Sequence, residues 1–159
     1  MVEKDVIGNE TQLVVFKLGT EEFGVDISQV REIIRVGDIT RIPGSPRYVD
    51  GVINLRGQVT TVVNLRNRLG LDGKAMDANA RIMILEVDKN VIGVIVDSVT
   101  EVKNLIASQI EALPDALSTT VSSRYIQGVG KLEARLLILI DLKLVIKDDI
   151  QLGAKSAAA

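Results

Sequence analysis

Side chains that could act as a general base or a nucleophile are scarce in this chain. Its 159 residues include no His and no Cys, which removes the commonest general base, the thiolate nucleophile and zinc sites of the Cys/His type. No P-loop, Gly-x-Gly-x-x-Gly or Gly-x-Ser-x-Gly motif is present. Three acidic pairs fit solvated turns better than an acid–base site: Glu21-Glu22, Asp148-Asp149, and Asp72 with Asp77. We therefore predict no enzyme, no metal site and no cofactor.

Arginine is the charged residue type best placed to recognise a partner. From Val30 to Leu69 there are seven arginines, no lysine and three acidic residues, a local net charge of +4 in a chain of net charge −2. A guanidinium offers a planar fork of donors and is enriched at interface hot spots. The strongest single candidate is Arg56, which precedes Gly57 at the expected tip of a hairpin.

Two neighbouring segments carry apolar side chains that need not all be buried. In Val30–Val36 the residues Ile33 and Ile34 are consecutive, so a strand would direct them to opposite faces. The face that is not core would be buried between two halves of the protein or would form a stripe for an amphipathic helix. The loop Asp38–Pro46 contains two prolines and is either an ordinary connection or a rigid docking loop.

The elements that position these residues are predicted to be β-strands. Val and Ile make up about a quarter of the chain, and β-branched residues favour strands. Apolar runs separated by turn residues predict four hairpins, within Gln12–Ile27, Gly51–Val63, Arg81–Val96 and Ile126–Ile140. Short helices are predicted at Leu65–Leu69, capped by Asn64, at Leu142–Lys147, capped by Asp141, and at Ser108–Leu113.

The chain also contains an internal repeat. Phe23–Ile33 aligns with Ile92–Val102 at an offset of 69, and Gly51–Leu65 aligns with Gly128–Leu142 at an offset of 77. Alternating strands alone could produce some of this similarity, but two blocks in the same order favour duplication. We predict two small β-barrels of about five strands, the first mainly 15–70 and the second mainly 81–147, with a shared hydrophobic interface and a groove along the seam. Residues 1–11 and 151–159 are expected to be flexible.

These motifs resemble the CheW-like domain family of bacterial chemotaxis. The resemblance rests on EEFGVDISQVREII and on GVINLRG at Gly51–Gly57, and it extends over residues 12–150. It implies an all-β fold of two packed SH3-like five-stranded barrels, with short helices at the ends of the repeats. It also implies a cytoplasmic, non-enzymatic adaptor that couples transmembrane chemoreceptors to the histidine kinase CheA. Such an adaptor is recruited to membrane receptor arrays without entering the membrane.

The resemblance further implies three contact surfaces on this chain. The cytoplasmic tip of a methyl-accepting chemoreceptor would bind Val30, Glu32, Ile33 and Arg56. The CheW-like regulatory domain of CheA would bind around Ile39, Thr40, Ile42, Pro43 and Gly51. A second contact, used when such domains close into rings, would involve Ile110, Glu111, Asp115 and Ala116. Some family members carry a basic residue at the position of Glu111 and a large aromatic residue at that of Ala116, so this chain departs from them there.

The residues alone leave another class of protein open. A small β-barrel could bind nucleic acid or an oligosaccharide through its Arg-rich half. The negative net charge and the supply of only two Phe, two Tyr and no Trp argue against this alternative. The adaptor hypothesis predicts no nucleic-acid partner.

Overall fold

The structure is a computed structural model that describes residues 10–71, 76–113 and 122–148. Within these ranges lie eleven strands: β1 (Glu10–Leu18), β2 (Glu21–Asp26), β3 (Glu32–Arg35), β4 (Val49–Leu55), β5 (Gln58–Asn64), β6 (Arg81–Val87), β7 (Asn90–Val96), β8 (Ser98–Ile106), β9 (Ile110–Glu111), β10 (Ile126–Leu132) and β11 (Arg135–Ile140). Helix α1 is Leu65–Arg68 and helix α2 covers residues 142–148. Single 3-10 turns are Ile27–Gln29, Ala107–Gln109 and Ser122–Tyr125. The ends predicted to be flexible, 1–11 and 151–159, lie outside the described residues except for Glu10 and Thr11, which belong to β1.

The four predicted hairpins and two of the three predicted helices are confirmed. The Asn64 side chain accepts a hydrogen bond from the Asn67 N–H (3.2 Å) at the start of α1. The Asp141 carboxylate accepts one from the Leu144 N–H (3.1 Å) at the start of α2. The third prediction, a helix over Ser108–Leu113, is wrong. This segment forms the end of a 3-10 turn and then β9, which pairs with β10 and so satisfies its backbone in a sheet instead.

The strands form two sheets that each close on themselves. The terminal sheet has the order β8-β1-β2-β11-β10-β9, and the central sheet has the order β3-β6-β7-β5-β4. Each contains one parallel pair, β2 with β11 and β5 with β7. The chain after β3 reaches Thr40, which pairs with Val52 on the far edge of the central sheet. In the same way, β8 leads through a 3-10 turn into β9 on the far edge of the terminal sheet. The result is two small barrels of the SH3-like kind, the terminal barrel and the central barrel.

The barrels do not follow the predicted division of the chain into a first barrel mainly at 15–70 and a second mainly at 81–147. Strands β1 and β2 of the first repeat lie in the terminal barrel beside β8, β10 and β11, while β6 and β7 of the second repeat lie in the central barrel. The duplication remains visible, because the bulge just before Gly51 in β4 recurs just before Gly128 in β10. The first hairpin of each repeat thus lies in the barrel of the other repeat, and burial gives a physical reason for this exchange of hairpins. Strands β1 and β6 each carry four consecutive buried residues, so each needs a core on both of its faces.

Three hydrophobic clusters supply those cores. The interior of the terminal barrel contains Leu13, Val15, Leu105, Leu137 and Leu139. The interior of the central barrel contains Ile53, Val62, Ile82, Ile84 and Ile95. The third cluster draws on both barrels and includes Phe16, Phe23, Met83, Leu85 and Val94. We call it the shared core. It confirms the predicted hydrophobic interface between the barrels.

An ion pair ties the barrels together beside the shared core. The Arg66 Nη2 atom of α1 lies 2.9 Å from the Asp97 Oδ2 atom, and the Arg66 Nε also donates to the same carboxylate. Asp97 in turn accepts a hydrogen bond from the Gly19 N–H (2.6 Å) in the β1–β2 turn. Because Arg66 is buried, it is a structural residue and does not belong to an exposed arginine face.

Candidate protein-docking surface

The consecutive isoleucines of β3 point to opposite faces, as the sequence predicts. Ile34 lies opposite Ile82 of β6 and packs against the interior of the central barrel. Ile33 lies opposite Met83, which belongs to the shared core. Because β3 is the edge strand of its sheet, Ile33 lies at the margin of the shared core and is 39% exposed. Of the two side chains, Ile33 is the one that a partner can reach.

Val30 continues the same apolar edge. It follows the 3-10 turn Ile27–Gln29 and is half-buried against the shared core. The next residue, Arg31, fixes the start of β3 by donating its backbone N–H to the Ile84 carbonyl oxygen (2.7 Å). Val30 and Ile33 together form an apolar margin of the shared core, which we call the seam edge.

Arg56 occupies the tip of the β4–β5 hairpin in a left-handed backbone conformation. The φ angles of Arg56 and Gly57 are +50° and +88°, and positive φ at both central positions is typical of a type I′ turn. The Asn54 side chain stabilises the turn by accepting a hydrogen bond from the Gly57 N–H (2.8 Å). The left-handed region is unfavourable for any residue with a Cβ atom. The turn therefore holds an arginine where glycine or asparagine would be less strained.

The Arg56 side chain reaches from this tip to β3. Both of its Nη atoms donate to the Glu32 carboxylate, with an Nη1–Oε1 distance of 3.1 Å. The hydrogen bond from Arg56 lowers the pKa of Glu32, and Glu32 raises the pKa of Arg56. Because the Arg56 side chain is 66% exposed, solvent screens the pair and it adds little to stability. The guanidinium remains accessible to a partner.

A cavity of about 220 Å³ opens beside this ion pair. Its lining mixes charged, amide and aliphatic side chains: Arg31, Glu32, Leu55, Arg56, Gln58, Ile84 and Val91. We call it the central mouth, because Ile84 belongs to the interior of the central barrel. It is smaller than the roughly 300–1,000 Å³ of typical small-molecule sites.

The Arg-rich segment divides between surface and interior. Five of the seven arginines are exposed: Arg31, Arg35, Arg41, Arg47 and Arg56. The other two make inward contacts, since Arg66 forms the buried ion pair with Asp97 and Arg68 donates to the Tyr125 hydroxyl (2.9 Å). Among the exposed five, Arg31 pairs with Glu86 (3.3 Å) and Arg56 pairs with Glu32, so acidic neighbours offset part of their positive charge.

Other site types find no support in the described part of the chain. No group of three or more His, Cys, Asp or Glu residues within 10–71, 76–113 and 122–148 is placed to hold a metal ion. Among the same residues, no helix has the length and apolar character needed to cross a membrane.

Comparison with known proteins decides the family. The model of the CheW-like domain matches residues 12–149. The chain belongs to the CheW-like domain family. It is 34% identical to the chemotaxis protein CheW of Klebsiella aerogenes over 145 residues, which covers 91% of this chain and 86% of that protein. It is 36% identical to CheW of Bacillus subtilis, with 85% of this chain and 86% of that protein covered. The crystal structure of the scaffolding protein TtCheW from Thermoanaerobacter tengcongensis aligns with a TM-score of 0.76 at 33% identity, covering 85% of this chain and 86% of that one.

Membership in the CheW-like family establishes the general role of the protein. Its relatives are chemotaxis proteins, and the structural relative is a scaffold. The chain is therefore a non-enzymatic chemotaxis scaffold that works through protein–protein contacts. The two-barrel architecture shared with TtCheW also confirms the predicted fold class.

The positions expected to face the kinase lie on and beneath one loop of this CheW-like domain. Ile39 is half-buried against the interior of the central barrel, while Thr40 and Pro43 are exposed and Ile42 is 44% exposed. Gly51 is different, because it is buried below this loop. A Cβ atom on Gly51 would lie 2.2 Å from the Thr40 carbonyl oxygen. Gly51 therefore lets the loop rest on β4 and would support this expected contact from below.

The positions expected to make the second ring contact are only partly described. Ile110 and Glu111 form β9, where Ile110 packs against the interior of the terminal barrel. Glu111 is exposed, and its carboxylate accepts a hydrogen bond from the Lys131 Nζ atom (2.5 Å). Asp115 and Ala116 lie outside the described residues.

These two expected contact segments occupy equivalent places in the repeat. Thr40 pairs with β4 directly above Gly51, and Glu111 pairs with β10 directly above Gly128. A Cβ atom on Gly128 would lie 2.6 Å from the Glu111 carbonyl oxygen, which reproduces the close approach at Gly51. Each barrel therefore presents the same kind of short pairing segment over a glycine.

Sequence reasoning missed a cluster in which the two repeats meet. The Arg68 guanidinium lies over the rings of Tyr48 and Tyr125, 5.5 Å and 5.3 Å from their centroids. The Tyr125 hydroxyl donates to the Asp148 carboxylate (2.7 Å). Burial raises the pKa of Tyr125, and the hydrogen bond to Asp148 adds to that shift. A signal for the cluster exists, because the dipeptide Arg-Tyr precedes both the β4 and the β10 hairpin at the same offset of 77.

Proposed function

We propose that this protein couples transmembrane chemoreceptors to the histidine kinase CheA. The observation that carries the proposal is the seam edge, where Val30 and Ile33 expose apolar surface at the margin of the shared core beside the Glu32–Arg56 pair. An apolar strip next to a basic group suits an amphipathic helix. The cytoplasmic tip of a methyl-accepting chemoreceptor, a helical hairpin, is the partner that we assign to it.

A different surface would receive the kinase. The exposed loop residues Thr40, Ile42 and Pro43, with Ile39 beneath them, offer a compact contact for the CheW-like regulatory domain of CheA. The equivalent segment of the terminal barrel, Ile110 and Glu111, would provide a second contact together with Asp115 and Ala116. Because the two segments are not the same patch, such contacts are heterologous and join domains end to end.

This proposal also gives the place where the protein works. Binding to receptor tips would recruit it to receptor arrays at the cytoplasmic side of the membrane. The chain itself would not insert into the bilayer.

Gel filtration with purified partners tests the proposal. We expect the protein to co-elute with a receptor-tip fragment alone, with CheA alone, and with both together. Ile33→Asp should remove binding of the receptor fragment and retain binding of CheA, while Ile42→Asp should do the reverse, since both positions are exposed on the described surface. Far-UV circular dichroism and the thermal midpoint check that each variant is folded. Wild-type protein that co-elutes with neither partner, or folded variants that bind both partners normally, would contradict the proposal.

A further inference from the structure

The seam edge begins at a short crossover between the two barrels. Strand β2 lies in the terminal barrel and β3 in the central barrel, and the 3-10 turn Ile27–Gln29 connects them. The Val30 N–H donates to the Ile27 carbonyl oxygen (3.1 Å), and the Ser28 N–H donates to the Asp26 carboxylate (2.9 Å). Both hydrogen bonds join residues within the crossover. They shape the turn, but they do not attach it to another part of the molecule.

The Gln29 side chain attaches the crossover to helix α2. Its Oε1 atom accepts hydrogen bonds from the backbone N–H groups of Leu142 (3.0 Å) and Lys143 (3.2 Å). Its Nε2 atom donates to the Asp141 Oδ1 atom (3.0 Å). Among the described residues, these are the side-chain hydrogen bonds that join the turn to an element other than the strand before it. The position of the crossover therefore depends on α2.

Helix α2 is itself a firmly held support. Its residues Leu142, Val145 and Ile146 are buried in the shared core. At its other end, the Asp148 carboxylate accepts a hydrogen bond from the Tyr125 hydroxyl (2.7 Å). Because the helix is held along its apolar face and at its C-terminal end, a group bonded to its first turn is fixed relative to the shared core.

The other repeat contains an equivalent link made with different chemistry. Asp97 forms the crossover from β7 to β8 and pairs with Arg66 of α1 (2.9 Å). With the offsets of 69 and 77, Asp97 corresponds to Ser28, the neighbour of Gln29, and Arg66 corresponds to Lys143. Both crossovers are thus tied to a short helix, one through an ion pair and the other through a neutral amide. The amide belongs to the crossover that leads into the seam edge.

We propose that Gln29 is a positioning residue that preforms the seam edge for docking. It holds the crossover on α2 and so keeps Val30 against the shared core at the start of β3, in line with Ile33. A surface that is ordered before binding loses less conformational freedom when the partner docks, which raises the affinity. The proposal rests on the proposed function, since it takes the docked partner to be the receptor tip.

The variant Gln29→Met tests this role, because methionine retains the length of the side chain and removes all three hydrogen bonds. We expect it to weaken binding of a receptor-tip fragment roughly tenfold in isothermal titration. Binding of CheA should stay within about twofold of wild type, since the loop at Thr40 lies on the far edge of the central sheet. In the free variant, hydrogen exchange of the Val30 and Arg31 amides should be at least roughly tenfold faster than in wild type.

A matched control is available in the terminal barrel. The Gln109 Oε1 atom also accepts a backbone hydrogen bond at a 3-10 turn, from the Ile106 N–H (2.9 Å). Gln109→Met removes this bond by the same chemical change at a distance from the seam edge. It should bind the receptor fragment within about twofold of wild type.

An exchange of donor and acceptor provides the rescue. Gln29→Glu alone places two carboxylates together and should weaken receptor binding as Gln29→Met does. Gln29→Glu combined with Asp141→Asn restores one donor between the two side chains. The first repeat already contains such an arrangement, because Asn64, the counterpart of Asp141, caps α1 and donates to the Asp50 carboxylate (3.2 Å). The double variant should recover receptor binding to within about threefold of wild type, together with slow exchange at Val30.

The outcomes separate positioning from a merely structural role. A folded Gln29→Met that binds the receptor fragment like wild type would overturn the proposal, as would equal losses of receptor and CheA binding or a double variant without recovery. If Gln29→Met does not fold, Gln29→Glu and the double variant provide the same comparison. If Gln29→Met binds normally while Ile33→Asp abolishes binding, the proposed function stands and only the positioning role fails. Wild-type protein that binds no receptor fragment would overturn both.

Discussion

Truncation of Ile33 and of its neighbour Ile34 should separate docking from folding. Full burial of an isoleucine side chain contributes about 1.5–3 kcal/mol, and 39% of Ile33 is exposed in the free protein. Covering that fraction with a partner helix is therefore worth about 1 kcal/mol, so Ile33→Ala should weaken receptor-fragment binding roughly fivefold. Ile34 packs inside the central barrel, and Ile34→Ala should lower the free energy of unfolding by about 2–3 kcal/mol.

The two variants are compared by isothermal titration with a receptor-tip fragment and by thermal unfolding. Ile34→Ala should lower the thermal midpoint by about 5–10 °C and leave the dissociation constant within about twofold of wild type below its transition. Ile33→Asp extends the series, because an unpaired carboxylate enclosed by the docked helix should weaken binding at least roughly a hundredfold. The reasoning fails if Ile33→Ala lowers the midpoint as much as Ile34→Ala does and leaves binding unchanged.

Four further predictions concern the turns and titratable groups around the docking surface. Gly51→Ala should lower the free energy of unfolding by about 3 kcal/mol through a backbone clash. The control is Gly44→Ala, at φ +82° with open space around it, which should lower the free energy of unfolding by only about 1 kcal/mol. Equal losses for the two variants in urea unfolding would refute the clash. Arg56→Gly should leave the thermal midpoint unchanged or slightly raised and weaken receptor-fragment binding roughly tenfold, so a clearly lowered midpoint would contradict the strain argument. Because the hydrogen bond from Arg56 lowers the pKa of Glu32, carbon NMR should place this pKa below its ordinary value in wild type and back at that value in Arg56→Gly. The small stabilisation that the ion pair provides should be present above the unfolded-state pKa of Glu32 and be lost as pH falls through its folded-state pKa. The pKa of Tyr125 is raised, so its contribution to stability should persist below the unfolded-state pKa and disappear as pH rises through the folded one; an alkaline loss of stability that is unchanged in Tyr125→Phe would disprove it.

Much of the local structure could be predicted from residue types and spacing. The four hairpins follow from apolar runs separated by turn residues, and the caps of α1 and α2 follow from Asn64 and Asp141. The opposite orientation of Ile33 and Ile34 follows from the two-residue period of a strand. These features depend on neighbouring residues only, which is why the sequence is sufficient for them.

The pairing of the strands depends on contacts between distant parts of the chain. The runs of buried residues in β1 and β6 show that both faces are covered, but they do not show by which strands, so the exchange of hairpins between repeats could not be predicted. The same limit applies to Arg66, whose burial depends on Asp97. It applies also to Val59, which is 79% exposed beside the central mouth although its sequence context is that of an ordinary strand residue.

Recruitment of CheA to receptor-bearing membranes tests the adaptor role most directly. Membranes that carry chemoreceptors are sedimented with purified CheA, with and without this protein, and the kinase in the pellet is measured. We predict that CheA sediments in quantity only when the protein is present, and that Ile33→Asp and Ile42→Asp each abolish the effect by removing one of the two contacts. CheA that sediments to the same extent with and without the protein, or with both folded variants as with wild type, would contradict the account.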